Sequence, residues 1–480
     1  MAPTTPETRL ERDMLGSREV PADALWGIHT LRAMENFPIS GRRVPAALVH
    51  AYGHVKLAAA VTHRALEYLD DARFEAVAAA CRELAAGTLD AHIVVDAFQG
   101  GAGTSTNLNV CEVIANRALQ LAGRRPGDYE FIDPLEHVNL HQSTNDTYPT
   151  ALRIAVYGRL KDLELAVTRL QEACQAKERE FADVLCVGRT EMMDAVPTTL
   201  GRTFGAWAEA LSRDRWRVYK CTERIRVVNL GGTAIGTGMG APRDYIFLVV
   251  EELRAITGLP LARAENLFEA TQNADVFVEV SGILKAHAVN LLKMSGDLRL
   301  LASGPDAGLG EIHLPELQAG SSIMPGKVNP VLPEMMAQAA TQCMALDQAI
   351  ALAAGAGQLE LNAFLPQIAV NLLDSLDLLC GASALAADRC IRGITADRNR
   401  CRDLALRSAM MATVLVPVIG YHKAVEVAQA MRQEGLDLFA ATQKVAGLPR
   451  ERVAPLVEPA AVNALGFVPH RAMGPGCACS

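Results

Sequence analysis

Aromatic side chains are scarce in this chain of 480 residues: they make up 5% of it, against 50% for all apolar residues. Alanine and leucine dominate that apolar half, which favours helix packing over a β-sandwich or barrel. Strand alternation is nowhere sustained enough for a sheet core, and no internal repeat is present. A basic stripe is also missing. Lys and Arg are scattered and the formal net charge is −8, so nothing argues for a nucleic-acid partner. There is no charged-then-apolar leader and no uninterrupted apolar run of about eighteen residues, so no membrane association is expected. The eleven cysteines are odd in number and follow no paired spacing. Cys81, Cys174, Cys343 and Cys380 fall in apolar, helical-looking stretches, which reads as reduced buried thiols in a cytoplasmic protein.

Proline is absent between Pro149 and Pro197, Pro197 and Pro242, Pro260 and Pro305, and Pro333 and Pro366. Each gap is long enough for an unusually long helix. From Gln272 to Ser303 the residues Val276, Val280, Ile283, Leu284, Leu291, Met294, Leu298 and Leu301 recur mostly at three- and four-residue steps. That is a wide helical face, and several such helices need one another for burial. The fold class expected is therefore mainly all-α, with a central long-helix bundle at 146–390. A loop-rich helical domain at 1–145 precedes it, and a small helical domain with a tail at 391–480 follows. The end of that tail, Gly474 to Ser480, carries Cys477 and Cys479. It fits a prenylation box loosely and suits a soft metal or a redox pair no better, so a flexible end without an assigned role is preferred.

Four polar, glycine-bearing segments stand apart from this background. The first, Gln99 to Asn107, is a glycine-rich loop entering a helix, where N–H groups and the helix dipole suit an anion. A purely structural helix entry explains it equally well. The second, His141 to Thr147, groups small donors that suit both oxygens of a carboxylate or that cap the Pro149 helix. His137 and His141 sit at i, i+4, but no carboxylate or thiolate set completes a metal site, so none is expected. The third runs from Gly188 through Thr190 and Glu191 to Arg202. The fourth is Ser303 to Ile312 followed by Gly320-Ser321-Ser322-Ile323-Met324-Pro325-Gly326-Lys327-Val328-Asn329-Pro330. Its glycines and prolines make a shaped loop, and Ser321 becomes a strong base only if its oxyanion is stabilised by Lys327 or backbone N–H groups. Gly236 to Ala241 formally matches a dinucleotide fingerprint. Pro242 follows at once and no strand–helix alternation surrounds it, so it reads as a tight inter-helix turn. Met335, Met336 and Met344 read as core.

In order and spacing, the four segments resemble the active-site regions of the aspartase/fumarase superfamily. Trp26 to Phe37 and Val328 to Glu334 are similar to the aspartase branch in particular. The resemblance, over about residues 25–438, implies three mainly helical domains, a homotetramer, and active sites built from loops of several subunits. It implies a cofactor-free C–N lyase that converts L-aspartate to fumarate and ammonia by anti-elimination through an aci-carboxylate. Ser321 would be the base. Lys327, Asn329 and Thr190 would hold the α-carboxylate, and Ser143, Thr144 and Ser322 the β-carboxylate. Thr104 and Asn145 would contact the departing amine.

Three positions depart from the family pattern: Glu191 stands where His is usual, Asp306 where Arg is, and His141 where Ser precedes Gln142. A charged Glu191 about 4 Å from an ammonium is worth roughly 4 kcal/mol at an effective dielectric near 20. That leaves a lyase acting on an N-substituted or modified aspartate as the alternative. Fumarate hydratase, or a paralogue that keeps the scaffold for binding alone, fits less well.

Overall fold

A computed structural model describes residues 7–467, so the Cys477/Cys479 tail lies outside the described residues. The protein is mainly helical. Among the described residues the strands form only two-stranded ladders, four in all. The long helices follow the proline-free gaps: Thr144–Glu180, Leu200–Ile225, Asp275–Leu301 and Val331–Gly355, then Leu365–Leu385, which begins at Pro366's neighbour. The periodic stretch read from Gln272 to Ser303 is helical over Asp275–Leu301, with Val280, Leu284, Leu291, Met294 and Leu298 buried.

Val331–Gly355 and Leu365–Leu385 carry their prolines, Pro333 and Pro366, in the first turn, but one helix starts well before its proline. Thr144–Glu180 contains Pro149 rather than following it. Proline cannot donate to the carbonyl four residues back. That carbonyl, on Asn145, accepts instead from Asn229 Nδ2 at 3.0 Å. The orphan acceptor is thus satisfied from outside the helix, as buried backbone groups require.

The chain divides into two compact units. The first comprises Met1–Leu165, Arg215–Val289 and Ala339–Gly381, the second Ala166–Asp214, Asn290–Gln338 and Ala382–Ser480. In the first, helices Ala46–Ala65 and Asp71–Ala85 pack through alanine-rich faces, with Thr104–Leu121 against the second of them and the Tyr245, Val249, Val250 and Leu253 face of Arg243–Thr257 against the first. Helix Ala46–Ala65 approaches its neighbour so closely that a Cβ on Gly53 would lie 2.5 Å from the Ala85 nitrogen. In the second, the hairpin Leu185–Thr190/Met193–Thr199 lays Leu185 and Val187 on a core of Ala405, Met411, Leu415, Val427 and Leu438.

The stretch Leu365–Gly393 is, by length and composition, apolar enough to cross a bilayer, although no uninterrupted apolar run flags it in the sequence. Most of its apolar window is buried. That burial is the behaviour of a core helix, and its carboxylates lie on the exposed side, Asp374 paired with Arg42 at 2.7 Å and Asp377 with Arg159 Nε at 2.7 Å.

Candidate functional site

In the first unit, Gly101, Ala102 and Gly103 are all left-handed (φ +80°, +55° and +95°) and turn the chain into helix Thr104–Leu121. Gly103 has no alternative, since a Cβ there would sit 2.1 Å from the Tyr148 ring. The turn leaves Thr104 exposed on the first helical residue, with its Oγ1 donating to the Gly101 carbonyl at 2.7 Å. Behind it, Gln99 Oε1 accepts from the Thr106 N–H at 2.9 Å and from its hydroxyl at 3.0 Å.

Ser143 stands just before the next helix, and its Oγ accepts from the Asn145 N–H at 3.2 Å. Asp146 is fully buried. Its carboxylate accepts backbone N–H bonds from Ser143 at 3.0 Å, Gly231 at 3.1 Å and Thr233 at 3.0 Å. Burial pushes its pKa up to about 6, against the pull of those three amides and of Lys56. Asn145 Nδ2 donates to the Ala234 carbonyl at 2.7 Å. The segment that mimics a dinucleotide fingerprint belongs to the turn between Val227–Val228 and Arg243–Thr257. The first part of that turn holds the Ser143–Asp146 corner in place.

Under this corner lies a buried polar network absent from the sequence reading. Lys56, 1% exposed, donates to Asn139 Oδ1 at 2.8 Å and to Gln142 Oε1 at 3.0 Å. Asn107 Nδ2 reaches the same Asn139 oxygen at 3.1 Å, and Thr147 Oγ1 donates to Asn107 Oδ1 at 3.3 Å. The network ties the Thr104 helix start to the Ser143 corner. A lysine inside an apolar helix face, as in His54-Val55-Lys56-Leu57-Ala58, is the signal that could have exposed it. His141 packs edge-on against Tyr68 at 4.6 Å, and burial lowers its pKa. His137 Nδ1 instead accepts from the Asp133 N–H at 2.9 Å.

In the second unit, Thr190 ends one hairpin strand and Glu191-Met192 form its two-residue turn, with φ +54° and +67°. Two positive φ values in succession mark the hairpin turn that normally selects Asn-Gly. Holding Glu and Met there costs about 1–2 kcal/mol each. Glu191 is exposed. Water therefore screens it, and its attraction for an ammonium about 4 Å away falls toward about 1 kcal/mol. Arg189 makes a bidentate pair with Glu311, at 2.8 and 2.9 Å.

The Gly320–Pro330 loop is closed on itself. The Gly320 N–H donates to the Lys327 carbonyl at 2.7 Å and Asn329 Nδ2 to the Gly320 carbonyl at 2.9 Å. Inside that closure Ser321 Oγ accepts two backbone N–H bonds, from Ile323 at 3.2 Å and Met324 at 3.0 Å. Ser322 and Lys327 are exposed, as is Asp306 on the approach to the loop. The proposed residues thus fall into two groups, Thr104 with Ser143, Thr144 and Asn145 in the first unit, and Thr190, Glu191, Ser321, Ser322, Lys327 and Asn329 in the second.

The lyase family matches residues 16–345. The aspartate ammonia-lyase of Pseudomonas aeruginosa is 45% identical over 470 residues, covering 97% of this chain and 99% of that protein. Among solved structures, a fumarate lyase:delta crystallin from Brucella melitensis bound to cobalt superposes with a TM-score of 0.91. It is 47% identical, over 94% of this chain and 99% of its own. A class II fumarase from Schistosoma mansoni superposes at 0.88 with 32% identity, over 94% of this chain and 98% of its own.

Proposed function

The chain belongs to the lyase family, and from that premise we propose that it eliminates ammonia from L-aspartate to give fumarate, with Ser321 as the base. The observation that carries the proposal is the pair of backbone N–H groups on Ser321 Oγ. A serine hydroxyl is far too weak an acid to serve as a base unless its oxyanion is held by such donors. In the proposed step the Ser321 oxyanion takes a Cβ proton. The C–H electron pair moves into the β-carboxylate, forming an aci-carboxylate. That dianion then re-forms its carboxylate, makes the Cα–Cβ double bond and expels the amine, which leaves with its proton as ammonia. Ser143, Thr144 and Ser322 would stabilise the aci-carboxylate, and Lys327, Asn329 and Thr190 the α-carboxylate. Thr104 and Asn145 would contact the amine. The scheme calls for no cofactor.

The greater identity to an aspartate ammonia-lyase than to a fumarase supports deamination over hydration. Incubation with L-aspartate, followed at the fumarate absorbance, tests it; a folded protein that makes no fumarate refutes it.

A second reading rests on Glu191, an exposed carboxylate on a strained turn. It favours a cationic or larger amine, so N-substituted aspartates belong in the same assay. Faster turnover of one of these than of L-aspartate would make it the substrate. The scaffold-only reading has the intact Ser321–Asn329 loop against it.

We further propose a cytoplasmic homotetramer whose sites draw loops from several subunits, and a functional division at 1–145, 146–390 and 391–480. Light scattering on the purified protein tests the tetramer.

A further inference from the structure

We propose that Arg189 and Glu311 are positioning residues that set the hairpin carrying Thr190 and Glu191 against the stem of the Ser321 loop. This rests on the lyase reading for its catalytic consequence but not for its geometry.

Glu311 is 1% exposed, and both its oxygens are taken by the two terminal nitrogens of Arg189 at 2.8 and 2.9 Å. Its backbone is fixed as well. The Glu311 N–H donates to the Leu301 carbonyl at 2.9 Å, and its own carbonyl accepts from the Asp397 N–H at 3.0 Å. The next residues, Ile312–His313, pair with Thr395–Ala396 and begin the chain that leads to Gly320. Glu311 is therefore an anchored post at the foot of the loop.

The other partner is placed by an irregularity. The hairpin register shifts between Val187 and Arg189, where a Cβ on Gly188 would lie 2.8 Å from the Val196 carbonyl oxygen. Such shifts re-aim a side chain. Here the guanidinium is turned onto Glu311, one residue before Thr190 and two before the strained Glu191-Met192 turn. That turn has unfavourable backbone angles and an exposed tip, so it needs a fixed reference close by.

A pair this buried is a poor stabiliser, because well-packed apolar residues of similar volume often serve as well or better. Its planar, two-bond geometry does what apolar residues cannot, which is to fix an orientation. That contrast supplies the test. In the double variant Arg189→Met/Glu311→Leu, an apolar pair replaces the ionic one.

The expected result is a folded protein with wild-type thermal unfolding, faster amide exchange across 190–193, and kcat/KM for L-aspartate lowered about 100-fold. A purely structural pair predicts the opposite: once folding is restored, turnover and exchange at 190–193 are those of the wild type, and that result overturns the proposal. If the double variant does not fold, Arg189→Lys keeps the charge but not the two-bond fork, and the same two readouts decide. If the wild type makes no fumarate, the lyase reading fails alone, and the exchange difference still decides the positioning role.

Discussion

Asp146→Asn is the most informative single perturbation of the first-unit site. The wild-type carboxyl, pushed from 3.8 to about 6 by burial, holds its proton more tightly folded than unfolded. Between about pH 4 and pH 6 the unfolded chain has released this proton and the native one has not, so stability falls as pH rises. A shift of about two units corresponds to about 3 kcal/mol, lost in full above about pH 6. Asparagine cannot ionise and removes that slope. Its amide oxygen can accept from Gly231 and Thr233, but its NH2 then faces the Ser143 N–H, a mismatch worth about 1–3 kcal/mol. The two changes nearly offset near pH 8, so the variant is expected to match wild-type stability there within about 2 kcal/mol. It should also show a flatter pH dependence and a raised KM, since Ser143 has lost its anchor. Urea unfolding of both proteins from about pH 4 to pH 8 is the assay. Curves that run parallel through the whole range would refute the reasoning, because Asp146 would then not be the titrating group.

Two other changes test separate parts of the site. Glu191→Gln removes an exposed carboxylate worth about 1 kcal/mol to a nearby ammonium, so KM for L-aspartate is expected to rise about fivefold. An unchanged KM would dissociate Glu191 from the amine. Gly103→Ala drives a methyl to 2.1 Å from the Tyr148 ring at φ +95°, and a loss of about 3 kcal/mol or more is expected in thermal unfolding. A variant of wild-type stability would mean that the turn can open.

Much of this was legible in the sequence, and the exceptions have physical reasons. Proline spacing located the long helices because an internal proline normally forfeits a backbone hydrogen bond. The same rule misplaced the start of Thr144–Glu180, since the forfeited bond is replaced by Asn229, about 80 residues away in sequence. No local pattern reports such a partner. The polar loop segments stood out because glycine, serine and asparagine interrupt an alanine- and leucine-rich background. The contacts that support them did not. Asp146, Arg189 and Glu311 lie within those segments, yet their partners are met only after folding, and Lys56 is marked only as a lone lysine in an apolar helix face. Gly236 to Ala241 do form a turn, between Val227–Val228 and Arg243–Thr257, but the residues just before them, Gly231 and Thr233, whose N–H groups hold Asp146, carried no mark in the sequence.

The central claim is that Ser321, supported by two amide donors, removes the substrate proton. Its most direct test is fumarate release from L-aspartate by wild type and Ser321→Ala, with succinate binding measured on both. The account predicts that Ser321→Ala lowers kcat by about 10³-fold or more while succinate affinity stays within about threefold. A variant that retains wild-type kcat would contradict it.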